Sequence, residues 1–145
     1  MEVGKIKNII TAIGNPILNC ELKKIEKFNI LNNDILYQEG ILEILDSNDK
    51  IDFLILSQLL PGQFSLENLI KEIKNKNKKI KIIIILEEFD NNLEQILNKQ
   101  GIFRIIYDNK IEIKDIINIL NEDEKMEKYN EEIRKEIDEL WESYF

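Results

Sequence analysis

Apolar residues fall along this chain in two kinds of run. Five runs are short and barely alternate: 7–14, 28–31, 51–60, 80–86 and 102–107. Such runs suit strands buried on both faces of a parallel sheet. Between them, apolar residues return every three or four positions, the period of a helix with one inward face. Ile17, Leu18, Leu22 and Ile25 define the first helix, and Leu36, Ile41, Ile44 and Leu45 the second. Leu66, Leu69, Ile70 and Ile73 give a third, Leu93, Ile96 and Leu97 a fourth, and Ile113, Ile116, Ile117 and Leu120 a fifth.

The punctuation agrees with this reading. Gly14-Asn15-Pro16 closes the first strand and sets proline in the first turn of a helix. Asn32-Asn33-Asp34 reads as turn and cap for a helix over 35–45, and Ser65 and Asp90 as caps further on. Gly101 stands where a helix-ending glycine is expected. The lysine-rich stretch 74–79 reads as a solvated turn at a helix carboxyl end, where cations are favoured. Five strands alternating with helices predict an α/β, flavodoxin-like, three-layer, doubly wound fold with a parallel five-stranded sheet of order 2-1-3-4-5. Ligands in such a sheet meet the carboxyl ends of the strands. Ser57, Gln58 and Leu59, ahead of Leu60-Pro61-Gly62, therefore occupy the place of an active site. Asp52 lies at the other end of the same strand.

The pattern changes near residue 121, so the chain is read as a domain over 1–121 and an extra C-terminal helix over 122–145. Asn121-Glu122-Asp123-Glu124 resembles a capping box opening that helix. Met126, Tyr129, Ile133, Ile137, Leu140 and Tyr144 follow at three- and four-residue steps, and Trp141 widens the stripe. Ten acidic and four basic side chains over 121–145 place −6 of the total −8 here. A stripe on an acidic helix needs a cover, and an isolated helix of this length is marginal in water. The cover is the domain's own flank, a second copy in a homodimer, or a following domain. The expected interaction face joins this stripe to Tyr107.

Composition narrows the function. A net charge of −8 argues against nucleic acid and against a polybasic membrane anchor. The first residues lack a signal-peptide core and no stretch suits membrane insertion, so a cytoplasmic protein is expected. Histidine, the commonest general base and metal ligand, is absent. Cys20 is alone, offers neither disulfide nor zinc spacing, and is expected half-buried on a helix. Glu87, Glu88 and Asp90 suit a helix amino terminus better than a metal site. No G-x-x-x-x-G-K-S/T loop occurs. The loop Gly14-Asn15-Pro16-Ile17 is a poor phosphate cradle, because Pro16 has no N–H. No catalysis, no cofactor and no metal are expected.

The order of these segments resembles a response-regulator receiver domain, CheY-like, over about residues 5–121. Leu60-Pro61-Gly62 after the third strand and the lead from Gly101 into the fifth carry the resemblance. It implies a phosphoacceptor aspartate after strand three, an acidic pair for magnesium after strand one, a Thr or Ser after strand four and a Lys after strand five. At those positions this chain has Ser57, Gly14 and Asn15, Leu86 or Glu87, and Asp108 followed by Asn109. Hard magnesium wants carboxylate oxygens, and phosphoryl transfer needs that metal and a cation. The chain therefore looks like a degenerate pseudo-receiver, similar to the domain that precedes the ATPase of TadZ/CpaE-type pilus-assembly proteins. That resemblance implies a non-catalytic module for protein–protein interaction, localisation or dimerisation, its partner another protein or a downstream ATPase domain. The alternative is a genuine phosphorelay receiver with atypical site residues. It would hold Mg²⁺ near Asn15, Glu87 and Asp108.

Overall fold

The unalternated runs become the strands of one sheet. The fold is given by a computed structural model that describes residues 6–107 and 112–144, the side chains at 124, 127 and 144 excepted. Its elements are β1 Lys7–Ala12, α1 Pro16–Lys23, β2 Phe28–Ile30, α2 Gln38–Ser47 and β3 Phe53–Ser57. There follow α3 Leu66–Lys76, β4 Lys81–Leu86, α4 Asn91–Lys99, β5 Arg104–Tyr107 and α5 Ile113–Tyr144. The strands lie in the order β2-β1-β3-β4-β5, each neighbouring pair parallel, which is the flavodoxin-like arrangement expected.

Each sheet face has its own apolar layer, because side chains alternate along a strand. Ile10, Ala12, Leu54, Leu56, Ile82, Ile84 and Leu86 share one face with Ile41 and Leu45 of α2, Ile70 and Ile73 of α3 and Leu97 of α4. Ile9, Thr11, Phe53, Ile55, Ile83 and Ile85 alternate with them and are equally buried. On that second side the Thr11 hydroxyl donates to buried Asn19 of α1 at 2.6 Å. The apolar runs at β3 and β4 thus record helices on both faces.

The caps at Ser65 and Asp90 form as expected, accepting from the N–H of Asn68 and Leu93, and Asn15, for which no cap was expected, accepts from that of Leu18. Gly101 has φ +83°, the left-handed conformation of a helix-ending glycine. Other expectations fail for local reasons. α2 starts at Gln38, not 35, and is not capped by Asp34, whose carboxylate is taken elsewhere. Leu36 consequently faces solvent instead of the core, and Ile17 faces it from the first turn of α1. Cys20 is exposed, since α1 turns Leu18, Asn19 and Leu22 inward. Helix α3 extends to Lys76, and Lys74 donates from Nζ to the Ile80 carbonyl at 2.6 Å. Burial, with Arg104 nearby, holds the Lys74 ammonium below the usual lysine range.

By compactness the chain divides into Met1–Ile111 and Glu112–Phe145. The second unit is a single helix, and no cap interrupts it at Asn121. Glutamate and lysine are good helix formers, and 113–144 has no Gly or Pro to stop it. Among the described residues no helix is long and apolar enough to cross a membrane.

The Leu60-Pro61-Gly62 turn is held by buried Gln38. Its backbone N–H donates to Pro61 O at 2.9 Å, its Nε2 to Phe64 O at 2.9 Å, and its Oε1 accepts from Phe64 N at 2.8 Å. A Cβ on Gly62 would lie 2.1 Å from that Oε1. Gly62→Ala should therefore cost about 1–3 kcal/mol in urea denaturation. In a Gln38→Ala background, where the obstacle is gone, the same change should cost distinctly less.

Candidate functional site

At the carboxyl ends of β1 and β3 the loops leave an open cleft of about 390 Å³. Gly14, Asn15 and Ser57 line it, together with Ile13, Pro16, Ile17, Ile35, Leu36, Leu59, Leu60 and Pro61. The structure thus brings three of the sequence-selected residues to one place, but among apolar neighbours. Leu86 is fully buried in the core. Glu87 lines a separate cavity with Gln58, Glu88, Phe89, Asp90 and Asn91. Gln58 ties the ends of β3 and β4, donating from its backbone to Ile85 O at 2.9 Å and accepting on Oε1 from Glu87 N at 3.1 Å. Asp108 and Asn109 lie outside the described residues. Asp52 accepts from Asn8 N at 2.8 Å at the far end of the sheet, so it clasps β1 to β3 there.

The residue that organises the cleft is Asp34. Beyond β2 the chain continues alongside β1 through side chains. Asn32 accepts from Thr11 N at 3.1 Å and donates to Thr11 O at 3.0 Å. Asp34 then accepts from three consecutive backbone N–H groups: Ile13 at 2.8 Å, Gly14 at 2.6 Å and Asn15 at 3.0 Å. Successive N–H groups pointing one way form an anion-binding nest, and here a carboxylate of the same chain fills it. Gly14 has φ +72°, which closes the nest and favours glycine. Sequence reasoning placed Asp34 in the right turn but gave it a helix to cap. The Asn-Asn-Asp string signalled side-chain-to-backbone bonding without revealing which backbone.

The donor set does not suit a hard cation. Both Asp34 oxygens are engaged by N–H groups, Asn15 Oδ1 accepts from Leu18 N at 3.1 Å, and Ser57 Oγ accepts from Leu59 N at 3.2 Å. Magnesium needs several free, preferably anionic oxygens in octahedral array. Among the described residues no group of three or more carboxylate, cysteine or histidine ligands is gathered anywhere.

Tyr107, at the end of β5, donates its hydroxyl to Glu94 of α4, and its ring lies 6.1 Å from that of Phe89 at 49°. Desolvation first, then the Glu94 hydrogen bond and the charges of Glu94 and Asp90, push the phenol up to about 12.

No protein-family profile matches the chain, and no curated protein does. Solved structures match it well. The isolated REC domain of RcsB from Salmonella enterica serovar Typhimurium, with phosphomimetic BeF3−, is 22% identical at TM-score 0.63, covering 72% of this chain and 79% of that one. A response regulator from Thermotoga maritima is 18% identical at TM-score 0.63, covering 80% and 95%. A LuxR-family DNA-binding response regulator from Staphylococcus aureus is 18% identical at TM-score 0.65, covering 80% and 97%. The fold is that of a CheY-like receiver domain.

Two measurements test this geometry. Asp34→Ala leaves three N–H groups without their acceptor and should cost about 2 kcal/mol in chemical denaturation. Tyr107 should be among the last tyrosines to ionise in an ultraviolet titration. Its phenol is raised in the fold from 10.0 to about 12, so its contribution to stability is intact below 10 and disappears as pH climbs to about 12. Tyr107→Phe should flatten the stability loss across that window.

Proposed function

We propose that this chain is a non-catalytic pseudo-receiver, a cytoplasmic module that acts through protein–protein contact and has no phosphoryl chemistry. The observation carrying this reading is the cleft at the strand ends. Its walls are mainly apolar, and the carboxylate beside it, Asp34, is committed to the backbone. Ser57 stands in a cleft lined by no acidic side chain, and its Oγ accepts from Leu59 N. A phosphoryl group placed there would carry charge into a setting that offers no compensating cation.

RcsB has been solved bound to a promoter. The present chain, at −8, lacks the excess of Lys and Arg that displaces counterions from a phosphate backbone, so DNA does not carry over. Protein surfaces fit better. Ile17, Leu36 and Leu59 are exposed at the mouth of the cleft, and the last helix presents an apolar stripe of its own.

Incubation with acetyl phosphate or beryllofluoride in the presence of Mg²⁺ tests the reading. Mass spectrometry should show no added phosphoryl group, and amide NMR shifts at 13–15, 57 and 87 should not move. Stoichiometric modification at Ser57, or Mg²⁺-dependent shifts abolished by Asn15→Ala, would establish an active phosphorelay receiver instead.

A further inference from the structure

Helix α5 carries two apolar stripes that do not line up. At about 100° per residue, the stripe of Ile113, Ile116, Ile117 and Leu120 and that of residues 126–144 are centred about 140° apart around the helix. Ile116 and Leu120 are buried, whereas Met126, Tyr129, Ile137 and Leu140 are between 47% and 58% exposed. One surface cannot cover both stripes of a helix that has no Gly or Pro to bend it.

The second stripe is a repeat. Met126 recurs as Ile137, Tyr129 as Leu140 and Ile133 as Tyr144, each 11 residues on. An 11-residue period lies close to three turns and drifts only about 20° per repeat, so the seam runs nearly straight. Two helices of this kind pack side by side with a slight right-handed twist.

Charge chooses the partner's direction. Residues 125–135 hold Lys125, Lys128, Arg134 and Lys135 against Glu127, Glu131 and Glu132, a net +1. Residues 136–145 hold Glu136, Asp138, Glu139 and Glu142 with no base, a net −4. A parallel pair sets −4 against −4. An antiparallel pair sets −4 against +1 at both ends. A dyad near 135 places position 126 opposite 144 and 133 opposite 137, and brings Lys128 near Glu142.

We propose that residues 126–144 pair antiparallel with the same segment of a second copy. This rests on the reading that the module works by protein contact, and it names the partner. Salt screens both the attraction between the unlike halves and the repulsion between two net-negative tails, so association held by the apolar stripe changes little with salt. A basic partner would be lost with salt.

Sedimentation equilibrium of the full chain tests the pairing. The mass should rise with concentration from 17.2 kDa towards twice that value at low and at high salt. Ile137→Glu should weaken association by about tenfold or more while leaving the circular dichroism of the fold unchanged. Orientation is read in a Cys20→Ser background by mixing Met126→Cys and Ser143→Cys proteins under oxidation. Cross-links between the two proteins are expected to dominate. A single 17.2 kDa species at every concentration and salt, or cross-links dominated by 126–126 and 143–143 pairs, overturns the proposal. Either result leaves the phosphorylation assay independent, so the two readings fail separately.

Discussion

Three backbone N–H groups converge just past β1, and the Asp34 carboxylate accepts from all of them. Much of the surrounding architecture follows from that bond set. With its carboxylate drawn towards β1, Asp34 is lost to α2, which starts three residues later than its apolar period suggests. The intervening residues Ile35 and Leu36 are laid along the cleft instead of being wound into the helix. There they add to the apolar wall that Ile13, Pro16, Ile17, Leu59, Leu60 and Pro61 build. An anion from solution finds the nest already occupied by a tethered competitor at very high effective concentration.

The same contact explains what could and could not be read from the chain. The sheet was legible because burial on both faces leaves a run with no alternation, as at 80–86. The caps at Ser65 and Asp90 were legible because a cap bonds only a few residues ahead. Asp34 was not, since the N–H groups that donate to it lie 19 to 21 residues earlier and nothing local distinguishes them. Gln38 escaped for a related reason. Its side chain answers to Phe64, 26 residues away, and it is this contact that requires glycine at 62. Periodicity likewise found both stripes of α5 but not their continuity. An Asn with acids behind it is compatible with a cap and with a helix interior alike, and the local pattern does not decide between them.

The tail and the cleft express one tendency. The mouth of the cleft and the last helix both expose large apolar side chains, the latter among many charged ones. The side chains exposed there, Ile17, Leu36 and Leu59 on one unit and Met126, Tyr129 and Leu140 on the other, are of the kind that seek a dry contact. The acidic residues concentrated around the second stripe keep such a helix soluble until it is covered.

Gly14 sets how far the site can be altered as well as its shape. Its left-handed backbone is what aims the neighbouring amides at Asp34, and a side chain introduced there meets a torsional penalty before its chemistry counts. Charge cannot be introduced there by exchanging one residue. A carboxylate at 14 would strain the loop or pull the clasp apart, and the cleft would reorganise in either case. Several residues would have to change together for the loop to take up anion or metal chemistry, while substitutions along the apolar walls meet no such barrier.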